Sequence, residues 1–402
     1  SIGSEENGAI TLNGAIVTDG AVTIDGPVTL ATGAVSVTTD NDAITFNHSI
    51  DGGQALTLAS GSATTALQGT IGANADLSAL TVNSAGAGTI EITNIGGVTN
   101  ATAIGNTNTA TLTLDGTAYS TDGTQTYTAK AGGNIDITNA SGVTFTTSND
   151  NIVFATSGVD LANNATTTIN TGTAGGIVTF GAAVEGNSST APFNDLLVIT
   201  SGTGNVTFTG AVGATNALGG LTVNSSSGNG DIIFTSTIGD GGNAGVVGTT
   251  TVGNTTTSDL SFDSTIYSFD GATTFTAATG DRIDIGADAP TSFITAADNI
   301  SFATGNLLLG NGSNLTIDTG ATGGNISVGG EIAGTSVETV TIDSGTGTTS
   351  VGVIGTGTEI GVLSIGSEEN GAITLNGAIV TDGAVTIDGP VTLATGAVSV
   401  TT

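Results

Sequence analysis

The sequence has no cysteine, methionine or tryptophan, one histidine, and two basic residues among 402, Lys130 and Arg282. Lack of cysteine removes disulfides, thiol catalysis and cysteine-ligated zinc together, so stability has to come from repetitive packing. Thirty-four acids against two cations give a formal charge of −32. That balance excludes nucleic acid as a partner, whose phosphates require Lys and Arg, and disfavours an anionic membrane surface. No stretch approaches the roughly 18 apolar residues of a membrane span, so no insertion is expected here. No charged-then-apolar leader opens the sequence; export would use a signal outside these residues.

The same scarcity bears on catalysis. A β-helical polysaccharide-degrading enzyme needs a basic residue beside an anionic sugar, or clustered carboxylates with a nearby histidine. The one histidine, His48, stands in Phe46-Asn47-His48-Ser49, and no serine has a G-x-S-x-G setting. Lys130 and Arg282 are replaced by Ala278 and Asn134 at the positions 148 residues away. The chain is read as a non-enzyme without a bound cofactor, calcium excepted.

What the chain has in plenty is glycine, 65 residues, with Thr, Ala, Val, Ile, Ser and Asn. Thr, Val and Ile suit pleated half-buried backbone and Gly suits tight turns. Hydrophobic residues make up 37% and alternate regularly, which separates the chain from a disordered Gly-rich tract. Residues 1–39 and 364–402 are identical, so the sequence restarts after 363 residues. A period this long belongs to a tandem array whose units bury their core by stacking on one another, and a longer natural protein is expected. Residues 119–180 also align without a gap on 267–328, matching Tyr119 to Tyr267, Phe145 to Phe293 and Ile169 to Ile317. Three diverged modules follow, at about 19–121, 122–269 and 270–381.

A finer rhythm is the triplet apolar–polar–apolar, as in Ile44-Thr45-Phe46, Leu112-Thr113-Leu114, Ile135-Asp136-Ile137, Val206-Thr207-Phe208 and Ile283-Asp284-Ile285. Alternation at period two predicts strands, and the Gly, Asn, Asp and Ser clusters between them predict turns. The triplets return about every 23 residues. This predicts an all-β fold, a parallel β-helix or β-solenoid with one turn per rung, rungs pairing about 4.8 Å apart. A string of β-sandwich domains is the rival; it lacks a tryptophan for its core, and modules that differ by whole rungs suit it poorly. Phe46, Phe154, Phe180, Phe208, Phe234, Phe262 and Phe302 share the last triplet position and are expected to form an internal aromatic ladder.

The strings GNVTFTGAVGATNALGGLTVNSSSGNGDIIFTSTIG and GGNIDITNASGVTFTTSNDNIVFAT resemble the repeat regions of very large bacterial surface proteins related to filamentous haemagglutinins and autotransporter-type adhesins. The resemblance covers essentially the whole sequence and rests on composition and rhythm. It implies a right-handed parallel β-helical shaft outside the cell, with a structural or adhesive role.

Acidic turns recur as Asp40-Asn41-Asp42, Asn149-Asp150-Asn151 and Asp298-Asn299. Oxygen-rich turns stacked at rung spacing suit Ca²⁺, which takes six to eight oxygens, and Asp40, Asp42, Asp150 and Asp298 are the candidate ligands. The nonapeptide of calcium-binding β-rolls and the EF-hand loop are both missing, and Asp-Gly is first of all a turn former. Outward Thr11, Thr45, Thr113, Thr179 and Thr207 offer a flat hydroxyl ladder of the ice-binding kind, although Thr is an ordinary choice for an exposed strand position. Sequons such as Asn47-His48-Ser49, Asn164-Ala165-Thr166 and Asn254-Thr255-Thr256 are glycan acceptors in principle. The expectation is an extracellular or cell-surface fibre whose main partner is itself, end to end and by lateral bundling. The alternatives are a calcium- or glycan-binding adhesin shaft and, behind it, the enzyme.

Overall fold

Residues that alternate Ile, Val or Leu with Thr or Asp put one row of side chains inside and the other outside when the backbone is extended. The turn residues then bring the chain back over its own previous pass. In the computed structural model, which describes every residue except 4–7, 84–87, 188–192, 225–229, 336, 367–370, 395 and 397, this produces parallel strands only, with no helix among the described residues. The strands wind as a β-solenoid of about 16 turns with about 24 residues per turn. It divides into two units, residues 1–187 with 195–202, and residues 188–194 with 203–402.

Each turn of the first unit contributes to three faces. One face is built from Ala15–Thr18, Val35–Thr39, Ala55–Ala59, Ala79–Asn83, Thr102–Ile104, Gln125–Thr128, Ile152–Ala155 and Val178–Phe180, each paired in parallel with the next. A second face passes through Ile44–Phe46, Thr111–Leu114, Asn134–Ile137 and Gly158–Asp160, and a third through Ala118–Thr121, Val143–Thr147 and Thr166–Asn170. The second unit repeats the plan, one face running through Val206–Phe208, Ile232–Phe234, Leu260–Phe262, Arg282–Ile285, Asn306–Leu309 and Ile332–Ala333.

Register places like side chains over like. Ile90, Leu112, Ile135 and Val159 form one inward column, each at most 1% exposed. Such columns bury apolar area without long-range side-chain matching, because each residue meets the corresponding residue one turn away. Tyr119 stacks on Phe145 with centroids 4.9 Å apart, and Tyr267 stacks on Phe293 at the same distance. Their hydroxyls accept the main-chain amides of Gly116 at 3.0 Å and Ser264 at 2.8 Å. Two segments 148 residues apart therefore make the same contacts.

The two identical segments also fold alike where they are described. Ile10 stands in register with Val28 and Ile373 with Val391; Ile16 with Val37 and Ile379 with Val400.

The aromatic ladder requires correction. Phe154 stacks on Phe180 in the first unit, and Phe208, Phe234 and Phe262 stack in series in the second, with rings within 4° of parallel. Phe46 lies on another face, in register with Ile24 and Leu67, and Phe302 is on a different face from Phe262, stacked on Phe275. A three-sided turn carries a triplet on each side, so the last triplet position does not specify which side it faces. The outward threonines are split for the same reason: Thr45 and Thr113 stand on one sheet and Thr179 on another.

Candidate functional site

The calcium candidates occupy one kind of corner. Thr39, Thr147 and Thr295 are buried, and each hydroxyl donates to the main-chain carbonyl three residues on, at Asp42, Asp150 and Asp298. This closes a four-residue turn between two faces, and the left-handed backbone of Asn41 (φ 64°) and Asn149 (φ 74°) suits the tolerance of Asn for that region. Asp40 and Asp42 share one such turn, whereas Asp150 and Asp298 each sit in their own. Among the described residues no three His, Asp or Glu side chains converge as a group able to hold a metal ion.

The turns hold a set of contacts that reading them only as turn formers missed. Asn41 Oδ1 accepts the amide of Ser62 one turn later, and Asn149 Oδ1 accepts those of Thr173 and Ala174. Asn94 does the same for Thr117 and Ala118, and Asp51 for Asn74 and Ala75. In the second unit the amides of Asp231, Asp259 and Arg282 donate in succession to the side chains of Asn205, Asp231 and Asp259. These carboxamides and carboxylates clamp loop amides, and the amides of Ala118 and Arg282 that open strands, which would otherwise depend on water. The available signal was an Asn or Asp at a constant corner, about one rung before a polar loop.

The outer faces concentrate carboxylates. Asp136, Asp160 and Glu185 fall in register on consecutive turns of the first unit. Burial, then the charges of Asp136 and Glu185, push the Asp160 carboxyl up to about 6. Burial also raises Asp136, opposed by its hydrogen bond with Asn134. Spacings of 24 and 25 residues, close to the rung length, are the signal that would have found this column. In the second unit Asp231, Asp259 and Asp284 gather around Arg282, whose Nη2 lies 3.1 Å from Asp259 and 3.8 Å from Asp284. Glu338 is fully buried and accepts from the Thr335 amide and hydroxyl and from the Gly312 amide. Burial works to raise its carboxyl, and these donors outweigh that and hold it below the usual range.

His48 approaches Asp25, Nε2 to Oδ1 3.7 Å, at a half-buried corner. Lys130 is exposed in the turn between Gln125–Thr128 and Asn134–Ile137. The second unit carries a groove of roughly 450 Å³ lined by Phe193, Asn243, Phe269, Asp270 and Thr295, among others. Of the fifteen phenylalanines and tyrosines, Phe193 alone is not buried. An accessible ring beside Asp and Asn is an arrangement able to stack on an apolar face and hydrogen-bond hydroxyls.

Among the described residues no helix is long and apolar enough to cross a membrane. Compared with protein-family models, with curated proteins and with solved structures, the chain gives no match. The architecture is that of β-helical repeat proteins.

Proposed function

We propose that this chain is a length of an extracellular structural fibre, serving as a shaft, sheath element or adhesin stalk in the manner of giant bacterial β-strand-repeat surface proteins. The observation that carries the reading is the return of the strand register: after 363 residues the same sequence re-enters the same pairing, Ile2 with Ile24 and Ile365 with Ile387. A solenoid that regenerates its own starting register can be lengthened unit by unit without a junction of different structure. The stacked columns and loop clamps support a mechanical role, since within each unit ladder bonds tie successive turns, and aromatic stacks and Asn or Asp contacts add to them at the turns named above.

The second reading is a shaft that binds calcium or glycans. The groove at Phe193 favours it, because that ring is the aromatic withheld from the core. Electron microscopy of the native material tests the first reading: a smooth filament a few nanometres wide is expected, and discrete globular particles would overturn it.

A further inference from the structure

One corner of the second unit departs from its counterpart 148 residues earlier. In the first unit Tyr119-Ser120-Thr121-Asp122 leads into a polar turn that satisfies itself. The Thr121 hydroxyl donates to the Gly123 carbonyl, and the Ser148 hydroxyl, one rung on, donates to the Asp122 carboxylate at 3.0 Å. In the second unit the same positions read Tyr267-Ser268-Phe269-Asp270, with Ile294 in place of Thr146 and Ala296 in place of Ser148. A methyl group stands where the hydroxyl held the carboxylate. Asp270 is exposed, and its side chain takes no hydrogen bond from any described residue.

The neighbouring turn differs in length as well. Ile95 pairs with Tyr119 and the Asp122 amide donates to the Val98 carbonyl, so two residues, Gly96 and Gly97, span that corner. Ile238 pairs with Tyr267 and the Asp270 amide donates to the Val246 carbonyl, so seven residues, 239–245, span the equivalent one. Asp240 holds the longer loop in shape, its carboxylate accepting the Gly242 and Asn243 amides at 2.9 and 2.6 Å and the Asn243 carboxamide at 3.1 Å. This loop, Phe193, Phe269 and Ile294 line the groove of roughly 450 Å³. Ser268 lines it too and is 7% exposed, where Ser120 is only half-buried. The Ser268 hydroxyl has no hydrogen-bond partner among the described residues. Buried polar groups are ordinarily paired, so an unpartnered hydroxyl in the wall of a groove marks a place for a polar group of a ligand.

We propose that this groove is a carbohydrate site that takes a neutral pyranose, with the sugar's C–H face on the Phe193 ring and its hydroxyls on Ser268 and Asp270. The negative face of an aromatic ring attracts polarised C–H groups. A carboxylate accepts hydroxyl protons in charge-assisted hydrogen bonds, and a serine hydroxyl both donates and accepts. The volume falls within the range of about 300–1,000 Å³ usual for small-molecule sites. None of the described lining residues is Lys, Arg or His, so a sugar acid would set its charge against Asp270 with no cation to meet it. A compact organic cation fits less well, since it calls for a cage of open rings, and Phe193 is the one aromatic residue that is not buried. The site deepens the glycan-binding reading and rests on it.

The test uses the full chain and ligand-observed saturation-transfer NMR with methyl glucoside, methyl galactoside, methyl mannoside and N-acetylglucosamine, beside glucuronate and tetramethylammonium. At least one neutral sugar is expected to receive saturation, strongest at its ring C–H protons, with neither charged probe competing. Phe193→Ala and Asp270→Ala, at positions outside the core, are each expected to weaken that binding at least ~10-fold with the thermal midpoint little changed. Ala296→Ser rebuilds the arrangement of Ser148 over Asp122 and is expected to weaken binding by occupying the carboxylate. Binding undiminished by Phe193→Ala and Asp270→Ala would overturn the groove and leave a glycan-binding shaft with its site elsewhere. Saturation of none of the four sugars would overturn it as well, and a blank glycan array would then remove the glycan reading too. Preference for glucuronate or tetramethylammonium would overturn the neutral sugar.

Discussion

At the scale of single residues, the two basic side chains have different surroundings although composition treats them alike. Arg282 opens a strand, gives its amide to Asp259 at 2.9 Å and its guanidinium to the same carboxylate at 3.1 Å. The exposed ion pair contributes about 0–1 kcal/mol; the strand ladder and the amide clamp do more to hold the backbone closed. Lys130 stands exposed in a turn, its main chain tied to Thr109 and Gly133. Lys130 and Arg282 are the two trypsin sites of the chain, and cleavage requires local opening, which turns undergo at lower cost than ladder strands. Prolonged digestion of the native protein is expected to nick slowly after Lys130 and to leave the bond after Arg282 intact. Mass spectrometry of the fragments checks this, and first cleavage after Arg282 would contradict it.

Among the elements, the column of Asp136, Asp160 and Glu185 shows how parallel register creates electrostatic cost. Strands that put like over like also put charge over charge, and half-burial raises the Asp160 carboxyl to about 6. An acid whose folded value lies above its unfolded value, near 3.9, binds protons more readily when folded. Its unfavourable contribution is present above pH 6, is relieved as pH falls from about 6 towards 4, and is gone below that. Glu338 works in the opposite direction: held low, it stabilises above its unfolded value and loses that contribution as pH falls through its folded one. Asp160→Asn is therefore expected to raise the thermal midpoint at pH 7.5 and to leave it nearly unchanged at pH 4. A midpoint that falls at pH 7.5 would show that the Asn134 contact outweighs the repulsion.

For the whole molecule the governing quantity is the charge of −32 set against a solenoid surface with few long side chains. Chains of this charge repel at low salt and approach one another once ions screen them, the Debye length being about 10 Å at 0.1 M. Divalent cations add bridging to screening. Light scattering across a sodium chloride and calcium chloride series is expected to show bundling that rises with salt and rises more steeply with calcium. Bundling strongest in chelator at low ionic strength would contradict both the repulsion and the calcium reading of the acidic turns at Asp40, Asp42, Asp150 and Asp298.

The sequence alone determined what is local and periodic. Alternation fixed which side chains face inward, as in Ile135-Asp136-Ile137, and the recurrence near two dozen residues fixed the parallel solenoid. The 148-residue offset matched Tyr119 to Tyr267 and Phe145 to Phe293, and the structure gives the two segments the same pairing, Tyr119 with Phe145 and Tyr267 with Phe293. These are legible because a solenoid turn packs on its nearest repeat, so periodicity and contact coincide. The tertiary structure decided which face each triplet occupies and which turn residue meets which. Corner loops vary, so paired residues lie as few as 18 apart, Ile10 with Val28, and as many as 30, Thr166 with Leu196. With that spread, spacing alone could not separate Phe46 and Phe302 from the Phe208–Phe234–Phe262 stack, or leave Phe193 as the one aromatic residue that is not buried. A constant period is written in the sequence, whereas the neighbour across a variable loop is set only when the backbone closes the turn.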